Sequence, residues 1–201
     1  MDLDAQSKLA GKLVKKISLF VLLLLLVAAT ALGCDSSEPV YNPAEFTTHT
    51  DTECGWSISY PSDSWKRAVS QCSIDILLPS SDYSSALAPW VQVQVDPTGL
   101  HDLQSGMSLR EYVDLGLSDA ALSGEVDSKT LSVEESMIGG LPAASAIWVE
   151  PGNAWSPSLK TMLVLIRREP VVARIWCCAE PDEFDRYAGL FEQIVGTFLL
   201  H

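Results

Sequence analysis

Histidine is scarce in this 201-residue chain, which holds only His49, His101 and His201, and none of the three stands at metal-ligand spacing from another histidine or a cysteine pair. Sequence-readable zinc sites are therefore excluded. Basic residues are also few: 13 Lys and Arg face 26 Asp and Glu, a formal net charge of −13, so the electrostatic footprint that nucleic-acid binding needs is missing. There is no Gly-x-Ser-x-Gly elbow and no glycine-rich phosphate loop. His101-Asp102 beside distant serines is too common a pairing to define a triad, and His101 reads as a solvated loop residue. Glu134 and Glu135 are neighbours on an expected strand, where side chains diverge onto opposite faces, so they read as a wet face and not as an acid–base pair. No catalytic residue, metal site or cofactor is expected.

Long apolar runs are equally rare, and the single example sits near the start. Lys8, Lys12, Lys15 and Lys16 precede an apolar stretch from Ile17 to Ala29 that leads into Ala31-Leu32-Gly33-Cys34. A positive flank, an apolar core and a small residue before a cysteine resemble a bacterial lipoprotein signal, in which Cys34 becomes the first mature residue and carries acyl chains such as palmitate. The resemblance implies a signal peptide over residues 1–33 and a protein anchored by lipid to the extracytoplasmic face of a cell membrane. Ala31 and Leu32 stand in the reverse of the usual order, and two alternatives remain open. Ala29-Thr30-Ala31 is a small-x-small site whose cleavage would release a soluble secreted protein, and Ile17 to Gly33 would, if retained, just reach the roughly 17–25 residues of a membrane span.

Assigning Cys34 to lipid leaves Cys54, Cys72, Cys177 and Cys178, an even set that suits disulfides in an oxidising compartment. A bond between Cys177 and Cys178 is the least favoured of the three pairings, because neighbours on a strand point apart. Buried free thiols are the alternative. Without residues 1–33 the chain keeps 9 basic and 24 acidic residues, a charge near −15. Such a surface repels anionic headgroups as well as nucleic acid, so any membrane affinity rests on the anchor. Asp182, Glu183 and Asp185 form the densest acidic cluster and lack the spacing of a calcium loop.

Residues 34–52 are polar and rich in Ser, Thr and Pro, the composition of a flexible tether, and residues 53–201 are enough for one domain. Alternation in Trp56–Tyr60 and again in Trp90–Val95 predicts strands with one buried face, and Cys72–Leu78 predicts another. A capping box of Ser108 and Glu111 opens a helix through about Leu122, with Leu109, Tyr112, Val113 and Leu117 on one side. Strands follow near Thr130–Met137 and Ala143–Val149 around Gly139-Gly140, then a hairpin of Leu159–Arg167 and Val171–Cys178. Met162 to Ile166 is apolar on both faces and so belongs centrally in the sheet. Pro181 suits the first position of a last helix, whose stripe is Phe184, Tyr187, Ala188, Phe191, Ile194, Val195 and Phe198. This order predicts an α+β fold, an α/β/α sandwich around a mainly antiparallel sheet.

Gly55-Trp56-Ser57-Ile58-Ser59-Tyr60-Pro61 with Trp65, the Val91–Val95 strand, the helix start Ser108-Leu109-Arg110-Glu111-Tyr112, Gly140-Leu141-Pro142-Ala143 and the Phe191–Phe198 segment fall in the order of the PsbP family, which this chain resembles over nearly all of residues 53–201. The resemblance implies the sandwich shared by extrinsic subunits of photosystem II, their bacterial relatives and a nuclear import factor, proteins that bind or help assemble others. Trp56, Tyr60, Pro61 and Trp65 read as architectural, as do Trp148 and Trp176 inside apolar strands. Tyr83, Trp90 and Trp155, the last in a loop between Pro151 and Pro157, form the candidate interaction patch. The expected function is non-catalytic binding or assembly of a membrane-associated protein complex, with a small-molecule or carbohydrate-binding lipoprotein serving a transporter, or a hydrolase, as alternatives. The protein partner itself is not readable, and no nucleic acid is expected.

Overall fold

Strict alternation sets the faces of the main sheet. In β5 (Trp90–Asp96), Val91, Val93 and Val95 are buried while Trp90, Gln92, Gln94 and Asp96 are half-buried, as the sequence predicts. The computed structural model describes residues 45–79, 88–99, 106–123, 126, 132–153 and 156–201. It places β5 in a seven-stranded sheet ordered β3 (Trp65–Ser70), β4 (Ser73–Leu77), β5, β9 (Val171–Ala179), β8 (Leu159–Arg168), β7 (Leu141–Glu150) and β6 (Ser132–Ile138), with every neighbouring pair antiparallel. A second sheet of three strands runs β1 (Phe46–Asp51), β2 (Trp56–Pro61) and β10 (Leu199–Leu200). Two helices, α1 (Leu109–Ser123) and α2 (Pro181–Gly196), complete the described elements.

The double-sided run in β8 does what its composition requires. Met162, Val164 and Ile166 point into one core with Ala173, Ile175 and Cys177 of β9, while Leu163 and Leu165 point into another with Ala144, Ala146 and Trp148 of β7. The larger core is closed by α2, through Phe184, Tyr187, Leu190, Phe191, Ile194 and Val195, and by Trp56, Ile58 and Tyr60 of the small sheet. The smaller core is closed by α1, through Leu109, Val113 and Leu117. The fold is therefore sheet-rich, α+β and antiparallel, and the sequence underestimated its strand content: a whole small sheet shares the larger core with the C-terminal helix.

Three strands lie outside the sequence reading, each for a physical reason. Residues 46–51, inside the span read as tether, form edge strand β1, which Phe46 anchors while its Thr residues face outward. Strand β3 carries an exposed Trp65 and a bulge between Ala68 and Ser70, so no buried alternation announces it. Strand β10 is two residues long and exists only through its pairing with β2. Because β2 lies between β1 and β10, it is buried on nearly all its positions, and Ser57 is covered as well as Trp56 and Ile58. The Gly139-Gly140 turn joins β6 to β7 with both residues at positive φ, 57° and 78°, which suits the twist of a two-residue hairpin.

Cys54 and Cys72 are bonded, with Cα atoms 5.5 Å apart, tying the β1–β2 turn to the β3–β4 turn. Cys177 and Cys178 are free and buried, which corrects their reading as disulfide candidates. They are successive residues of one strand, and only Cys177 joins the larger core.

The capping box forms in full. The Ser108 backbone N–H donates to Glu111 Oε2 at 2.8 Å and the Glu111 N–H donates to Ser108 Oγ at 3.1 Å. These bonds, the backbone one first, hold the Glu111 carboxyl below its ordinary range. A lowered folded-state value means that the cap is fully in place above the ordinary carboxylate range and is lost as pH falls through that lowered value. Backbone carbon chemical shifts of residues 109–112 are expected to move toward coil as pH falls below the ordinary glutamate range. Glu111→Gln is expected to keep the cap and lose the pH step; a step that persists in this variant would assign it to another group.

Candidate functional site

Among the described residues, one face of the large sheet carries a helix over only part of its width. Under α1 that face shows Ala144, Ala146, Trp148, Leu165 and Val172, all buried. On the β3–β4–β5–β9 side the same face shows Trp65, Leu77, Trp90, Arg67, Gln92 and Trp176, every one exposed or half-buried. Strand register lines these up in rows. Trp65, Leu77 and Trp90 are successive cross-strand partners, and the adjoining row runs Arg67, Asp75, Gln92, Trp176, Leu163 and Ala146.

Asp75 is the one carboxylate in this stretch of the second row, and its charge is matched where it stands. Arg67 Nη2 donates to Oδ2 at 2.7 Å and Gln92 Nε2 donates to Oδ1 at 2.8 Å. The Asp75 side chain is 12% exposed and that of Arg67 is 59% exposed, so the pair turns its cation outward and keeps its anion down. A cavity of about 270 Å³ lies over these residues with Leu77 and Trp90 on its walls. It falls below the roughly 300–1,000 Å³ typical of small-ligand sites, and the face is better described as a shallow aromatic surface. Trp65 stands 59% exposed at its rim.

The candidate residues read from sequence fare unequally. Trp90 lies in this surface, whereas Tyr83, Trp155, His101 and the lipidation candidate Cys34 fall outside the described residues. Trp56 and Tyr60 are buried, as an architectural role requires, but Trp65 is exposed and belongs to the surface. Trp148 is buried in the smaller core; Trp176 is only half-buried. The Arg67–Asp75–Gln92 set went unread because β3 was unrecognised. Its signal was the polar residues at alternate positions of β4 and β5, Asp75, Gln92 and Gln94, on otherwise apolar strands.

The described cysteines and histidines lie outside this surface. Burial pushes the Cys178 thiol up to about 12, against a weaker opposing contact with Thr161, and burial, then the neighbouring Cys178, raises the Cys177 thiol well above its ordinary value. Both stay protonated thiols at neutral pH. His49 packs edge-on against Trp56 at 5.1 Å with Nδ1 3.2 Å from Lys66 Nζ; burial, then Lys66, lowers its pKa, so it is neutral at pH 7. His201 Nε2 is 3.0 Å from Ser57 Oγ. Glu134 and Glu135 are both exposed on the edge strand β6.

A long antiparallel sheet with the C-terminal helix on one side, α1 over part of the other and a small sheet of β1, β2 and β10 is a PsbP-like fold. No family model and no curated protein matches the chain. Solved structures do. The cyanobacterial PsbP (CyanoP) of Synechocystis is similar over 85% of this chain and 99% of its own, at 14% identity and a TM-score of 0.55. PA94 of Pseudomonas aeruginosa, a protein of unknown function, is similar over 78% of this chain and 98% of its own, at 18% identity and a TM-score of 0.52. At these identities the likeness is one of fold.

Proposed function

We propose that this is an extracytoplasmic, lipid-anchored protein whose PsbP-like domain is a non-catalytic binding module for a protein of a membrane-associated complex. The layering is an α/β/α sandwich in which α2 and the small sheet form one outer layer and α1 the other, over part of the sheet only. The observation that carries the reading is the part α1 leaves uncovered. Trp65, Leu77, Trp90 and Trp176 offer apolar area, and the polar groups among them are Arg67, Gln92 and the neutralised Asp75. On a chain of net charge −13 this is a neutral aromatic surface, of the composition that enriches interface centres. An exposed tryptophan beside an arginine suits a protein contact, and the surrounding acidity disfavours an anionic bilayer.

A photo-reactive amino acid at Trp65, in intact cells, is expected to give one discrete protein adduct that the same group at exposed Glu135 does not. Lipid adducts alone, or equal products from both positions, would remove the protein-partner reading. The anchor is tested separately. Replacing Cys34 with serine is expected to abolish acylation and move the protein out of the membrane fraction; a variant that stays membrane-bound would favour the retained span.

A further inference from the structure

A second concavity lies on the same face, where β7, β8 and β9 meet α1 and the β7–β8 loop. Its volume is about 580 Å³, within the small-ligand range. The sheet side carries Trp148, Leu163 and Trp176, α1 contributes Leu117, the loop contributes Pro157, and Glu150 stands at the end of β7. These walls mix apolar groups with the polar Asn153, Ser156 and Glu150, and carry two indoles separated by one strand: Trp176 is the cross-strand partner of Leu163 on β8, and Trp148 is the partner of Thr161 on β8.

Glu150 is held in place by neutral donors. Trp148 Nε1 donates to its Oε1 at 3.0 Å, Thr161 Oγ1 lies 3.4 Å from the same oxygen, and the Ser158 hydroxyl donates to its backbone carbonyl at 2.8 Å. Among the described residues no lysine, arginine or histidine forms an ion pair with it, although Lys160, Arg167, Arg67, Arg110 and Arg186 all pair elsewhere. Lys160 lies on the next strand, but it belongs to the other face, where it meets Asp185 and the Phe184 ring. The carboxylate is thus oriented and lacks a cation, at the wall of a cleft that Trp148 and Trp176 also line.

We propose that this cleft binds a small organic ammonium bearing an apolar ring or short chain, with the cation at Glu150 and the apolar part against Trp148, Trp176 and Leu163. A neutral ring would leave Glu150 unmatched, and an anion would be repelled by it. The cleft shares Trp176 with the Trp65–Trp90 surface, but its test reads a small cation and not a protein adduct, so failure of one reading is distinguishable from failure of the other.

The full-length chain in a nonionic detergent, titrated calorimetrically with benzyltrimethylammonium, is expected to show saturable binding. Benzyl alcohol should bind at least about tenfold more weakly, and Glu150→Gln, which keeps the shape and the acceptor oxygen, should weaken the cation about tenfold or more. Trp176→Leu should weaken it by a similar factor from the opposite wall and stands in if the glutamine variant does not fold. No saturable binding of the cation, equal binding of the alcohol, or affinity unchanged in the folded variants would overturn the site.

Discussion

Phe191→Ala is expected to destabilise the domain by about 3–5 kcal/mol, the range for deleting a fully buried phenylalanine together with the cavity left behind. Phe191 has no exposed surface and sits in the middle of the α2 stripe, with its ring 5.3 Å from that of Phe184 and 6.2 Å from that of Tyr187. The backbone beneath it cannot collapse to fill the gap. Helix α2 is fixed at its end by Thr197, whose hydroxyl donates to Ile194 O at 2.7 Å and accepts from the Ser59 N–H at 2.8 Å, and near its middle by the Tyr187 hydroxyl, which donates to the Pro79 carbonyl. Such a loss is a large share of the roughly 5–15 kcal/mol that holds a domain of this size together. Urea denaturation followed by tryptophan fluorescence should show a lower midpoint at unchanged slope. Met137→Ala, 64% exposed on the edge strand, should change stability by no more than about 0.5 kcal/mol. Equal, small effects at both positions would show that α2 does not close the larger core.

Most of the secondary structure could be read from residue periodicity because its signals were local. The Ser108–Glu111 box, Pro181 at the start of α2, the double-sided Met162–Ile166 run and the alternating valines of β5 each require only a few neighbouring residues. The elements that were missed depend on partners far away in the chain. Strand β10 pairs with β2 across more than 140 positions, and the polar β1 reads as a strand only once β2 lies beside it. The candidate surface was harder still. It is assembled from single residues of four strands, and residue type alone does not mark them: Trp65 and Trp56, nine residues apart, end up on the outside and the inside. Only the strand order β3-β4-β5-β9 places Arg67, Asp75, Gln92 and Trp176 side by side. The Glu150 cleft needs, in addition, a helix that covers one part of a sheet face and stops short of the rest.

Removing the Cys54–Cys72 bond, by Cys54→Ala with Cys72→Ala, is expected to destabilise the domain by about 3 kcal/mol, the chain-entropy value for a cross-link at a sequence separation of 18. The location makes the cross-link matter beyond its loop. Strand β1 contributes Phe46 and little else to the core, and the bond fastens the turn that follows it to the first hairpin of the large sheet. Cys72 also has φ of +64°, a left-handed backbone that a β-carbon disfavours by about 1–2 kcal/mol and that the surrounding structure must hold. Replacing that residue by glycine in place of alanine should therefore recover part of the loss, about 1 kcal/mol. Because Cys177 and Cys178 are buried and unbonded, reductant should lower the wild-type midpoint to near that of the double alanine variant and leave the variant itself unmoved. A wild-type midpoint insensitive to reductant, matching a double variant of unchanged stability, would show that the two turns hold together without the sulfur link.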